Sequence, residues 1–259
     1  MPGRLVRIAV GIDDTDNLES RGTGHRARQL GLHLQQLDLA RLLSVTRHQL
    51  LVSPEIRYTS HNSSACLVVE AAPEGVEALK QACRIFLENE SASGSDAGLC
   101  VALWSELERV GEAVAEFGRR AKTEVLQRED AEAFAAKNDL FLVGLTGDHG
   151  GVIGSLAGVG LRYGGNDGRF LWLPGLRDLT GDSHTPAQLK NAAGIDDVAT
   201  LDDIRPEDDA VILTGQWVRP VVKNGRAVLL VEGRPTESGG DGEPRWQILP
   251  KDSIKQLSS

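Results

Sequence analysis

The chain is poor in the features that announce the commonest functional classes. It has three cysteines, Cys66, Cys83 and Cys100, an odd number, evenly spread and without a CxxC pair. That pattern excludes a disulfide framework and a zinc ribbon and leaves reduced core thiols. No apolar run approaches the ~20 residues needed to cross a bilayer. The first residues lead straight into a strand, without the n-region and h-region of a signal peptide, so a cytoplasmic location without a membrane partner is expected. A Walker A motif, the spacing of a dinucleotide fingerprint and a nucleophile elbow are all missing. No internal repeat or long low-complexity tract is present. Positive charge is short as well: 28 Lys and Arg stand against 37 Asp and Glu, a net charge of −9, which argues against non-specific nucleic-acid binding.

What is there is an ordinary globular composition, 41% hydrophobic and 25% charged, over 259 residues. It is enough chain for one large domain or two small ones. Strands are predicted at Leu5 to Ile12, Arg41 to Leu51, Ala65 to Ala71, Leu99 to Trp104, Leu140 to Leu145 and Arg169 to Leu173. Between them helices are predicted from Thr23 to Asp38, from Pro73 to about Asn89, from Leu107 to Gln127, from Glu129 to Lys137 and from Val152 to Val159. In the first, Ala27, Leu30, Gly31, Leu34 and Leu37 form an apolar stripe. The alternation defines an α/β or α+β region over residues 1–174. Residues 175–259 read as a small β-rich appendage, with strands at Ala210 to Thr214, Trp217 to Val222, Arg226 to Glu232 and Trp246 to Leu249. Lys223-Asn224-Gly225 marks a hairpin, and Glu237 to Glu243 a flexible turn.

Chemistry concentrates at Gly11-Ile12-Asp13-Asp14-Thr15-Asp16-Asn17, followed by Gly22-Thr23-Gly24-His25. An apolar strand runs into three carboxylates that repel one another, and a divalent cation relieves that repulsion. A glycine-rich helix start follows, where backbone N–H groups favour phosphate. Asp13, Asp14 and Asp16 are therefore candidate Mg²⁺ ligands beside a nucleotide, most simply ATP, with Gly22, Thr23 and Gly24 against the phosphates. A second segment, Arg57-Tyr58-Thr59-Ser60-His61-Asn62, offers a guanidinium, hydroxyls and an amide that can position phosphates or a base. A third, Gly147-Asp148-His149-Gly150-Gly151-Val152-Ile153-Gly154, joins a strand to a helix with glycines that let a ligand approach. The stretch Asp178 to His184 reads as a loop with less to commend it.

Taken in order, these segments resemble the archaeal agmatinylcytidine synthetases that modify the anticodon cytidine of an isoleucine tRNA. The family's GIDDTDS-type motif is matched by Gly11 to Asn17, and its Trp-Lys-Thr-Arg-Gly-Asn-like loop by Tyr58 to Asn62. Its Arg-Gly-Leu-Ile-Gly-Ala-Leu-Ala segment is matched by Gly150 to Ala157. The resemblance covers about residues 5–173. It implies a kinase-like module combined with a ferredoxin-like one, binding ATP with Mg²⁺. Asp13, Asp14 and Asp16 would be the metal and ATP acids, with Asp14 and Asp16 also in catalysis. Thr59 and Asn62, with Arg57 as a substitute cation, belong to the second loop, and Gly150, Gly151 and Gly154 to the third.

Departures from the family are equally legible. Its paired threonines fall at His25 and Arg26, which makes His25 the candidate to accept a phosphoryl group. Tyr58 and Ser60 stand where the family has Lys and Arg, and no four-cysteine zinc ribbon is present. The expectation is an ATP- and Mg²⁺-dependent phosphotransferase or ligase-like enzyme whose acceptor is a small molecule or an RNA. Two alternatives stand beside it. One is cytidine modification of tRNA, drawing on a basic surface from Arg21, Arg26, Arg28, Arg41, Arg47 and Arg57. The other is a nucleotide-binding regulatory module without turnover.

Overall fold

The structure, a computed structural model, describes residues 4–59, 61–234 and 246–257. The chain forms a mixed α/β protein in two compact units, residues 1–164 and 165–259. The division lies ten residues before the 174/175 change of sequence character, because the strand at Arg169–Trp172 pairs with a strand of the second unit.

The first unit contains β1 (Val6–Asp13), α1 (Thr23–Gln36), β2 (Arg41–Gln49), β3 (Ser63–Ala71), α2 (Val76–Glu90) and β4 (Gly98–Leu103). It continues with α3 (Trp104–Val110), α4 (Glu112–Thr123), α5 (Arg128–Asn138), β5 (Phe141–Gly144) and α6 (Gly151–Gly164). Its sheet order is β5-β4-β1-β3-β2, antiparallel throughout. The first six elements are thus a split β-α-β arrangement with β1 at the centre. β1 alternates its faces. Ala9 and Gly11 look toward α6, whereas Ile8, Val10 and Ile12 look the other way, toward the side where α1 packs on β2 and β3.

The helix predicted over 107–127 is two, α3 and α4, because Gly111 takes φ +64 and turns the chain between them. Conversely α6 runs 14 residues, well past Val159. Its glycines lower intrinsic helix propensity but let it lie unusually close to its neighbours. A Cβ on Gly160 would stand 2.0 Å from the carbonyl oxygen of Val114 on α4, and one on Gly11 would stand 2.0 Å from that of Ser155. Around this contact Leu107, Val114, Phe117, Leu156 and Val159 build the core between α6, α4 and the sheet. Cys66 and Cys100 belong to the same core, and all three cysteines are buried free thiols.

The second unit contains β6 (Arg169–Trp172), β7 (Ser183–His184), α7 (Pro186–Ala192), β8 (Asp197–Ala199), β9 (Ile212–Leu213), β10 (Val221–Lys223), β11 (Arg226–Gly233), β12 (Trp246–Ile248) and α8 (Lys251–Leu257). β11 is its axis: β10 and β8 flank its first half, and β12 pairs with its end. The expected hairpin is present, with Asn224 (φ 51) and Gly225 (φ 75) as the left-handed pair between β10 and β11. The strands expected from 210 and from 217 are shorter, and α7, β7, β8 and α8 lie where no element is predicted. The turn expected over 237–243 lies outside the described residues. Phe170, Leu189, Ile212 and Leu229 form the core of this unit. Beside it Asp197 accepts hydrogen bonds from Arg205 and from the backbone N–H of Val198.

Candidate functional site

β1 ends in the acidic turn because two constraints meet there. Asp13 continues the strand on the α6 side, and Asp14 takes a left-handed backbone (φ 50) that breaks the ladder. The turn opens on a cavity of about 260 Å³ in the first unit, lined by Asp13, Asp14, Asp16, Thr23, Arg57, Thr59, Asn62, Asp96, Gly150, Gly151 and Gly154. Three sequence segments expected to converge do so. Leu50, Ile56, Leu126 and Ile153 add an apolar wall, and Glu55, Tyr58, His61, Glu124 and Gln127 also reach the cavity.

The carboxylates are not equivalent. Asp13 touches the cavity, yet protein encloses it on its other sides. Burial, followed by the charge of Asp14, pushes its carboxyl up to about 8 against the opposing pull of the Asp14 backbone N–H. Asp14 is pushed up to about 6, by burial first and then by Asp96 and Asp16, with the Arg57 guanidinium opposing. Asp16 is occupied differently. Its Oδ1 accepts from the Thr23 backbone N–H at 3.0 Å and from Thr23 Oγ1 at 2.7 Å, while its Oδ2 accepts from Thr59 Oγ1 at 3.0 Å. The Ncap residue of α1 is Gly22, which has no side-chain acceptor, so Asp16 does the capping from across the turn.

Asp96 is a further acid of the cavity, outside the three segments singled out in the sequence; it closes a short Ser/Gly-rich stretch, Ser91 to Asp96. Strand pairing places it beside Asp14, because β4 runs next to β1 with Gly98 opposite Asp13. Its Oδ1 accepts from the Asp148 backbone N–H at 2.8 Å, and its Oδ2 lies 3.8 Å from the mostly exposed Arg57. A signal existed in principle, since Asp96 precedes a buried strand by two residues, but reading it required the strand order.

The glycines at the start of α6 act through closeness more than through free amides. The Gly151 N–H donates to Asp96 O at 2.8 Å, and the Val152 and Ile153 N–H groups to His149 and Gly150 carbonyls. A Cβ on Gly154 would stand 1.8 Å from Asp13 Oδ2, so this glycine makes room for the carboxylate. Asn62 lines the cavity while its Nδ2 donates to Leu51 O at 2.7 Å, closing the base of the loop between β2 and β3.

Gly22, Gly24 and His25 stand at the first turn of α1 and are not among the lining residues. His25 Nδ1 is 3.0 Å from the Arg28 guanidinium. Ser60 lies outside the described residues. Of the arginines expected to form a basic surface, Arg26 pairs with Glu90 and Arg41 with Glu70. Among the described residues no group of three or more His, Cys, Asp or Glu side chains is preformed as a metal site. No helix there is long and apolar enough to cross a membrane.

Fold and cavity define a mixed α/β protein whose first unit gathers carboxylates, hydroxyls and glycines around one opening. No protein-family model matches the chain. It is 28% identical over 158 residues to the uncharacterized protein MJ0921 of Methanocaldococcus jannaschii, covering 61% of this chain and 51% of that one. Among solved structures it is similar to apo TiaS, described as a tRNA agmatidine synthetase, with TM-score 0.50 and 22% identity over 60% of this chain and 35% of that one. The complex of TiaS with its isoleucine tRNA and ATP gives TM-score 0.51 at 22% identity, again over 60% of this chain and 36% of the other. The chain therefore has a TiaS-like fold over that part, and it spans about half of the curated relative and about a third of the solved structures.

Proposed function

We propose that this chain is an ATP- and Mg²⁺-dependent enzyme of the synthetase or kinase-like kind, working in the cavity of the first unit. The observation that carries the proposal is the convergence of Asp13, Asp14 and Asp96 with hydroxyl, amide and guanidinium groups on one cavity, and the raised carboxyls of Asp13 and Asp14 accord with it. The similarity to TiaS, whose structures include an ATP complex, supports the nucleotide. The split β-α-β order supports the ferredoxin-like half that the sequence resemblance implies, and the remainder of the unit would be its kinase-like half.

The residues fit a magnesium ion. Mg²⁺ uses one or two carboxylates and completes its shell with water and phosphate oxygens, so a preformed three-residue cage is not required. Asp13 and Asp14 would hold it, with Asp96 beside them. Bound there, it would neutralise phosphate charge and polarise the phosphoryl group. The chain's own residues supply the rest. Arg57 and Asn62 orient the polyphosphate, with Thr59 tying their loop to Asp16, and the apolar wall at Leu50, Ile56 and Leu126 takes the less polar part of the ligand and keeps water out. With the Gly151 amide turned inward, anion stabilisation falls to the metal site and Arg57 more than to the start of α6.

The acceptor is proposed to be a small molecule. Three of the six arginines that an RNA-binding surface would draw on, Arg26, Arg41 and Arg57, face carboxylates, which lowers the positive field that phosphate backbones require. The tRNA complexes of TiaS favour the RNA alternative. ATP with Mg²⁺ should raise the thermal stability of the wild type and leave Asp14→Ala unmoved. Release of ADP, or of AMP with pyrophosphate, then separates turnover from regulatory binding. Retention of bulk tRNA on a filter at physiological salt would move the acceptor to RNA. Wild-type protein that gains no stability from Mg²⁺–ATP would end the proposal.

A further inference from the structure

The loop between β2 and β3 brings Glu55, Ile56, Arg57, Tyr58 and Thr59 to the cavity. Its base is stitched by backbone and amide bonds: Leu50 N–H to Asn62 O, Asn62 Nδ2 to Leu51 O, and Leu51 N–H to Ala121 O. Further out, a turn bond joins Ile56 N–H to Ser53 O. At the far side of that turn Thr59 Oγ1 donates to Asp16 Oδ2 at 3.0 Å, across 43 residues of sequence.

Asp16 is well placed to carry such a tie. Its other oxygen is fixed by two donors of Thr23, one of them at 2.7 Å. Thr23 is 6% exposed, and its hydroxyl also accepts from the hydroxyl of Thr15, which is fully buried at the end of the acidic turn. A continuous path, Thr15–Thr23–Asp16–Thr59, thus links the turn that carries Asp13 and Asp14 to the loop that carries Arg57. With three donors already on its two oxygens, Asp16 has less capacity to ligate a cation than Asp13 or Asp14.

We infer that Asp16 is a positioning residue that latches the β2–β3 loop to the first turn of α1 and so sets where Arg57 meets the ligand, leaving metal contact to Asp13 and Asp14. This assignment rests on the nucleotide reading of the site for its functional consequence. The latch itself does not depend on a ligand.

The test has two arms. In the ligand-free protein, amide exchange over residues 53–59 should rise about tenfold in Thr59→Val, which removes the donor and keeps the shape, and return to within about twofold in Thr59→Ser. Unchanged exchange in Thr59→Val would overturn the latch. In the second arm, Mn²⁺ alone is titrated by electron paramagnetic resonance and a non-hydrolysable ATP analogue with Mg²⁺ by calorimetry. Asp16→Asn and Thr59→Val should keep Mn²⁺ affinity within about threefold of wild type while analogue affinity falls about tenfold, as loss of one charge-assisted hydrogen bond predicts. Asp14→Asn should lose Mn²⁺ binding outright. Loss of Mn²⁺ by Asp16→Asn to the same degree would make Asp16 a ligand and refute the inference. A wild type that binds neither probe would sink the nucleotide reading, and the exchange arm then decides the latch by itself.

Discussion

Asp13→Asn removes an ionisable group from a place where burial and a second carboxylate oppose its charge, and keeps the shape of the side chain. The Asp13 carboxyl stands at about 8 in the folded protein against 3.8 for an unperturbed one. The folded state therefore holds this proton more tightly than the unfolded state. Below pH 3.8 both states are protonated and the residue is neutral toward stability. As pH rises the unfolded chain ionises first, and the destabilisation grows until it is complete above about pH 8. At ~1.4 kcal/mol per unit the cost near pH 7 is at most ~4 kcal/mol, and water entering from the cavity reduces it to roughly 1–3 kcal/mol. In chelator, Asp13→Asn should thus melt about 3–10 °C above wild type at neutral pH, and the gap should close as pH falls toward about 4. Mg²⁺ with a nucleotide should close the gap or reverse it, because the wild type gains about 2.7 kcal/mol at a hundredfold excess over its Kd and the variant does not. Differential scanning fluorimetry across pH, with and without Mg²⁺–nucleotide, measures all of this. A variant that melts below wild type in chelator, or a gap that ignores pH, would refute the account of Asp13 as a strained carboxylate awaiting a cation.

Gly11→Ala should cost about 3 kcal/mol or more, because its methyl would press on the Ser155 carbonyl, and a melting temperature within about 2 °C of wild type would contradict the close contact. Burial pushes the Cys66 and Cys83 thiols up to about 12 and raises that of Cys100 as well, so none should react with a disulfide reagent until the first unit unfolds; rapid labelling of native protein would be the failing result. In the second unit burial raises the Asp197 carboxyl, but the hydrogen bond from Arg205, the Val198 N–H and the charges of Arg205 and Arg226 prevail and hold it below the usual aspartate range. Its contribution should be present above the ordinary aspartate pKa and fade as pH falls through the lower folded value, so Asp197→Asn should flatten the acid limb of the second unit's melting curve. An equally steep limb in the variant would count against it.

The acidic turn was legible because three carboxylates after an apolar strand have few structural uses, and the chain does bring that turn to a cavity with Thr59, Asn62 and Gly151. The separate job of Asp16 was not legible. It depends on Thr59, whose approach is a matter of tertiary folding, whereas the sequence records only a regular DDTD spacing. Asp96 escaped for a related reason: its partner Asp14 is 82 residues away, and only the β1–β4 pairing unites them. In the fold, apolar periodicity located β1, α1 and β3, and Asn224-Gly225 located a hairpin. Gly111 was ambiguous, since a glycine within a helical pattern can be tolerated or can end the helix, and here its left-handed backbone ends it. Four elements of the second unit, α7, β7, β8 and α8, are at most seven residues long, too short for periodicity to rise above a polar background.

The contact between α6 and β1 limits how the cavity can adjust. With the Ser155 carbonyl seated over Gly11 and Gly154 against Asp13, the helix and the end of the strand share one spacing, as two marks on a rigid ruler. A guest that is too large or too small cannot be accommodated by sliding the helix without first breaking into the core of the unit. The other side differs: there the β2–β3 loop is joined to the α1 end by the side-chain bonds of Asp16 with Thr59 and Thr23 rather than by core packing. For the ligand proposed above, the cavity would thus have one wall fixed by the core of the unit and one wall, the β2–β3 loop, held only from its rim.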